Sequence, residues 1–168
     1  MKTYICIDIG GTSIKHGVIR ENGTFCEAGE MPTEAMEYGG PGILKKVHGI
    51  TREYLKSYHA EGICISTAGM VDCEKGLITY AAPLIPDYTG TEIKKSMETT
   101  FGIPCEVEND VNCAGLAESY AGAAKGARIS VCLTVGTGIG GAIIIDGKVF
   151  HGFSGSACEV GYMHLPGG

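Results

Sequence analysis

The chain has 168 residues, 44% of them apolar and 7% aromatic, and carries a formal charge of −6. That apolar share excludes a disordered segment, and the length supports one full hydrophobic core and only marginally two. The acidic balance excludes the broad basic footprint that nonspecific nucleic-acid or anionic-membrane binding requires, but it leaves room for a local phosphate site, because backbone N–H groups and a bound metal do not enter the side-chain charge count.

Tyr4 to Gly10 reads as a strand, Lys15 to Arg20 returns beside it, and Asn22-Gly23 turns the chain into a third strand around Thr24 to Glu30. Three antiparallel strands are therefore expected to open a mixed sheet. "GGP" at Gly39 to Pro41 precedes a helical pattern in Ile43, Leu44, Val47, Ile50, Tyr54, Leu55 and Tyr58, whose apolar face must cover that sheet. "GICIST" from Gly62 is a short strand, and a turn-rich passage runs from Tyr80 to Gly90. A helix over Thr91 to Thr100, a strand from Ile103 and a helix over Val111 to Ala123 follow. That alternation predicts parallel pairing through crossovers. Ile129 to Val135, "GTGIGG" and "AIIIDGKVF" then repeat the opening unit of strand, glycine-rich turn and strand. Residues 1–125 are expected to form one lobe and 126–168 the start of a second, truncated one, since apolar faces such as that of Ile143 and Ile145 would otherwise need another partner.

The eight cysteines, Cys6, Cys26, Cys64, Cys73, Cys105, Cys113, Cys132 and Cys158, form no C-x-x-C pair. Several lie in apolar strand-like runs, where buried thiols are expected rather than disulfides or metal ligands. The chain opens with no signal-type segment and holds no apolar stretch near ~20 residues, so a cytoplasmic protein without a membrane span is expected.

Four constellations carry chemistry. In "DIGGTSIK", Gly10 and Gly11 offer unusual backbone angles and close approach to a phosphate, and Thr12 and Ser13 add hydroxyls. Asp8 stands where a carboxylate can hold Mg²⁺, and Lys15 adds a nearby cation. The same residues also fit an ordinary hairpin with a solvated aspartate. The spacing is not that of a P-loop, and the turn leads into a strand rather than a helix. "TVGTGIGGAII" supplies a second such turn, with Thr137, Gly138 and Gly140; two of them fit the grip on a polyphosphate that phosphoryl transfer needs. In "EVENDVNCAG", Asn109 and Asp110 fall where a strand gives way to a helix, a place where open α/β sheets bind ligands, although Asp110 also fits a plain helix cap. An aspartate there can take an alcohol proton as an O–P bond forms, without a raised pKa. In "GFSGSACEVGYMHL", Glu159 can accept sugar hydroxyls and Tyr162 and His164 project from one extended segment, while Cys158 and His164 do not make a zinc site by spacing.

In this order and spacing, "DIGGTSIK", "STAGMVD", "ENDVNCAG", "TVGTGIGGAIIIDG" and "GSACEVGY" resemble the ROK family of sugar kinases from Tyr4 to about Leu165. The resemblance implies the actin-like, ribonuclease-H-like ATPase fold, with ATP and sugar between two lobes, in an amino-terminal part of a longer and homodimeric enzyme. It further implies phosphorylation of a hexose or hexose derivative at its 6-hydroxyl, with Asp110 as base. Gly69, Asn109, Glu159 and Tyr162 would contact sugar. Asp8, Gly10, Gly11, Thr12, Lys15, Thr137, Gly138 and Gly140 would meet ATP and Mg²⁺. The family commonly reads E-x-G-H where this chain reads "EVGY"; with Tyr162 replacing that histidine, no structural zinc is expected. A sugar-responsive regulator or a silent sugar-binding piece is the alternative, and the 168 residues alone are expected to be inactive. The regulator is disfavoured by the acidic balance and by the first motif starting at Asp8, which leaves no room for a DNA-binding segment before it.

Overall fold

The computed structural model describes residues 1–83, 85–136 and 138–163, and the chain divides into two compact units, Met1–Asn109 and Asp110–Gly168.

The first unit is built on β1 (Thr3–Ile9), β2 (Ser13–Arg20) and β3 (Phe25–Pro32), an antiparallel meander. β4 (Gly62–Thr67) joins the other side of β1 in parallel, and the strand Cys105–Asn109 joins β4 in parallel in turn. Between them the chain makes a small hairpin, β5 (Met70–Asp72) with β6 (Leu77–Tyr80), so Cys105–Asn109 is β7 and the sheet order is β3-β2-β1-β4-β7. Three antiparallel strands continued by two parallel ones are the opening sheet of the actin-like, ribonuclease-H-like fold.

Alternation explains why these strands pair as they do. Ile5, Ile7 and Ile9 of β1, Ile63 and Ile65 of β4 and Val107 of β7 are all buried on one face. Helix α1 (Ala35–Tyr54) supplies Ile43, Val47, Ile50 and Tyr54 to the same core at helical spacing. Each isoleucine sealed there contributes about 1.5–3 kcal/mol relative to an exposed one.

The sequence signal "GGP" corresponds to a break within α1, where Gly39 takes φ 55° and Pro41 follows. Gly40 must be small as well: its N–H donates to Pro86 O at 2.8 Å, and a Cβ there would sit 2.3 Å from Asp87 O. That contact pins the turn-rich passage before Gly90 against the helix, and helix α2 (Ile93–Phe101) follows it. Tyr88, from the same passage, is buried, and its hydroxyl meets the Thr67 hydroxyl at 2.6 Å at the end of β4. Burial pushes the Tyr88 phenol up to about 12, against the Thr67 hydrogen bond.

In the second unit α3 (Asp110–Ala121) covers a sheet of β8 (Ile129–Val135), β9 (Ile139–Ile145) and β10 (Lys148–Val149), ordered β10-β9-β8. The β8 and β9 pair is antiparallel around a glycine-rich turn, the same unit as β1 and β2. Gly115 lets α3 close on this sheet, since a Cβ there would meet Ala142 Cβ at 3.1 Å. The opposite face carries Ile129, Val131, Leu133 and Val135, each more than half exposed, while Ile143 and Ile145 are half-buried. Among the described residues no helix is long and apolar enough to cross a membrane.

All eight cysteines are free thiols; Cys105 is buried as expected, but Cys64 is exposed, because it sits on the sheet face that α1 does not cover. Replacing Tyr88 by Phe should lower the stability of the first unit by about 1 kcal/mol, the usual worth of one hydrogen bond, in urea unfolding. An unchanged midpoint would mean that the Thr67 pair does not anchor this passage.

Candidate functional site

The first glycine-rich turn joins β1 to β2. Gly10 N–H donates to Ser13 O at 3.0 Å, and buried Thr33 holds the turn from behind through Thr33 Oγ1 to Gly10 O at 2.6 Å and Thr33 N–H to Thr12 O at 2.9 Å. Gly11 and Thr12 are exposed, and a Cβ on Gly11 would meet nothing within 4 Å. The reason for glycine differs from the one the sequence offered. Neither Gly10 nor Gly11 takes a positive φ; at Gly10 a Cβ would crowd Ser13 O at 3.0 Å.

Asp8 and Lys15 are register partners and both are exposed on the face opposite the core. On the other side of Asp8 its parallel partner Ser66 donates Oγ to Asp8 Oδ1 at 2.7 Å. A carboxylate fixed by a neighbouring hydroxyl keeps its second oxygen oriented outward, and an oxygen donor of this kind suits Mg²⁺.

The register also sets Thr67 opposite Ile9 on one side and Asn109 on the other, so β1, β4 and β7 end together. Just beyond β4, Gly69 takes φ 101°, where a Cβ would lie 2.7 Å from Tyr80 O. Its carbonyl accepts Asn109 Nδ2 at 3.0 Å. The β5–β6 hairpin therefore dictates glycine at 69, and that glycine orients the Asn109 amide.

In the second unit Asp110 is the first residue of α3, exposed, with its Oδ1 accepting the Val111 N–H at 2.9 Å. The second turn is closed by Gly136 N–H to Gly138 O at 2.9 Å; Gly138 is exposed, and Thr137 lies outside the described residues, as does His164. Gly140 lies under α3, where a Cβ would be 2.5 Å from Val111 Cγ2. Glu159 precedes a short 3₁₀ turn, Val160–Tyr162, packed on β9 so closely that a Cβ at Gly161 would be 2.3 Å from Ile139 O. Glu159 is half-buried, and its carboxyl is raised above the ordinary range, first by burial and then by the negative charge of Asp110. Tyr162 is 70% exposed. Thus the structure brings together Asp8 with Lys15, Gly69 with Asn109, and Asp110 with Glu159.

The expectation of no structural zinc needs correction, because candidate metal-ligand groups are present, Cys73 and Glu108 in the first unit and His151 in the second. Within the first unit Cys73 Sγ donates to Glu108 Oε2 at 3.3 Å, a thiol and carboxylate pairing compatible with zinc. Reasoning from Tyr162 alone overlooked these residues, which are far apart in sequence and show no ligand spacing.

The ROK family model matches residues 4–167. The chain belongs to the ROK family. An uncharacterised protein of Clostridium perfringens is 56% identical over 167 residues, spanning 99% of this chain and 56% of that protein. A beta-glucoside kinase of Klebsiella pneumoniae is 37% identical over 164 residues, 96% of this chain and 53% of its own. The solved ROK glucokinase of Streptomyces griseus, in complex with glucose and AMPPNP, superposes with a TM-score of 0.85 at 33% identity, over 97% of this chain and 51% of that one. The chain spans about half the length of the curated relatives it matches.

Because the fold penalises the ionised form of Glu159, this group favours the folded unit fully below its unfolded pKa, and the contribution is lost as pH rises through the raised folded value. In Asp110→Asn, carbon-detected NMR should find the Glu159 titration moved down yet still above the ordinary carboxyl range, since burial persists. An unmoved titration would show that the two carboxylates do not interact.

Proposed function

We propose that the full-length protein is an ATP- and Mg²⁺-dependent kinase of a hexose or hexose derivative, acting at the 6-hydroxyl. The observation that carries this reading is the Asp110 carboxylate at the start of α3 with Glu159 close enough to feel its charge, in a chain of the ROK family. The beta-glucoside kinase and the glucose-bound glucokinase among its relatives support the substrate class.

Asp110 acts as the base: an exposed carboxylate takes the alcohol proton as the new O–P bond forms. Glu159 accepts hydroxyls of the sugar, and Tyr162, standing where the family motif has histidine, donates or accepts through its phenol. Asn109, oriented by the Gly69 carbonyl, reads another sugar hydroxyl. The turn of Gly10, Gly11 and Thr12, whose Gly10 N–H is held by Ser13 O, meets phosphate together with Lys15, as do the residues around Gly138 and Gly140 together with Thr137. Asp8 would hold Mg²⁺ directly or through water, and the ion would offset phosphate charge. A cytoplasmic homodimer with no nucleic-acid partner completes the reading.

The test is sugar-dependent ADP formation by the full-length protein and its Asp110→Asn variant, with the 168-residue chain assayed alongside. Asparagine keeps the helix-start geometry but accepts no proton, so kcat should fall at least about a hundredfold while KM for ATP changes little. A variant retaining most of the rate would remove Asp110 from the base role. Sugar binding without any ADP release from the full-length protein would favour a sugar-responsive binding protein instead.

A further inference from the structure

On the sheet face turned away from α1, two thiols stand side by side. Ile5 and Ile7 flank Cys6, and Ile63 and Ile65 flank Cys64; all four isoleucines are buried, so strand alternation sends both cysteines to the opposite face. The parallel register pairs Cys6 directly with Cys64. Neighbouring strands run about 4.8 Å apart, within the roughly 4.4–6.8 Å between Cα atoms that a disulfide spans. The row continues with Gly17 beside Cys6, Ala28 beyond it, and Glu106 beside Cys64. Because Gly17 and Ala28 raise little or nothing above the sheet, the thiols lie in an open hollow of about 740 Å³, with Cys64 exposed and Cys6 half-exposed.

We propose that Cys6 and Cys64 form a dithiol switch oxidised by hydroperoxides. The Cys64 thiolate attacks the peroxide oxygen and forms a sulfenic acid, and the O–O bond breaks to release the alcohol or water. The Cys6 thiol then displaces the hydroxyl as water, forming the S–S bond. The two sulfurs together lose two electrons and two protons, and one hydroperoxide is reduced. Cys64 is the more exposed of the two and so the attacking group; the Cys6 hydrogen bond also draws its thiol below the usual range, against desolvation and the Glu106 charge. Cys105 does not compete, since it is buried on the other face and burial pushes its thiol up to about 12. The bond would tie β1 to β4 two residues before Asp8 and Ser66, on the same face, and stiffen the pair of strands that carries them.

The experiment exposes the reduced protein to an equivalent of hydrogen peroxide, blocks remaining thiols with N-ethylmaleimide, and maps peptides by mass spectrometry. The expected product is a linked pair of peptides holding Cys6 and Cys64, lighter by two hydrogens and restored by dithiothreitol. Cys6→Ser should leave Cys64 as a sulfenic acid that dimedone labels, and Cys64→Ser should abolish both products. The unsubstituted protein alone decides the matter if a variant misfolds. Oxidation of Cys26, Cys73 or Cys158 ahead of a still-reduced Cys6 and Cys64 would overturn the proposal, as would linkage of either cysteine to another partner.

Discussion

Everything in the first unit depends on one face of the parallel strands being sealed. Ile5, Ile7 and Ile9, then Ile63 and Ile65, then Cys105 and Val107 all face the α1 side with almost no exposure. A slip of one residue in any of these pairings would drive Asp8, Ser66 or Glu106 into that core and expose isoleucines to water. The penalty fixes the register, and the register aligns Ile9, Thr67 and Asn109 at one edge. The Gly10 turn, the Gly69 carbonyl and the Asn109 amide therefore leave the sheet next to one another.

Several glycines at that edge and in the second unit are set by close approach, and only some by backbone angle. Gly69 combines both, with φ 101° and a carbonyl neighbour where a Cβ would go. Gly10 and Gly140 keep ordinary backbone angles; one is hemmed in by Ser13 O and the other by Val111. The distinction matters for chemistry. A turn with its N–H groups free to face outward can receive phosphate, whereas a glycine beneath a helix serves the packing that holds such a turn in place.

Much of this was legible in the sequence, for identifiable reasons. The β1 to β3 meander, α1 and the β9–β10 turn at Asp146-Gly147 all follow from strong periodicity or from a dipeptide that tolerates positive φ, here 50° and 75°. The β5–β6 hairpin was not legible: its strands have three and four residues and a register shift between Met70 and Val71, too short for an alternation to stand out. The exposure of Cys64 was hidden because an apolar run such as "GICIST" does not reveal which alternate residues meet a helix. The roles of Thr33 and Tyr88 were hidden for a related reason. Each is a polar group in a loop, and only tertiary packing buries it at a strand end.

Burial also separates the two carboxylates of the second unit. Asp110 is exposed at the beginning of a helix, where a backbone N–H meets one of its oxygens. Glu159 is half-buried and pays for ionisation twice, through lost water and through Asp110 itself. A general base needs a proton affinity matched to the working pH, and a group that accepts neutral hydroxyls works best where few waters compete. In the function proposed above, the exposed residue meets the alcohol proton and the desolvated one accepts sugar hydroxyls. Sugar hydroxyls donated to Glu159 would replace part of the lost hydration and ease the repulsion from Asp110, so substrate would stabilise the charge arrangement that its own deprotonation requires.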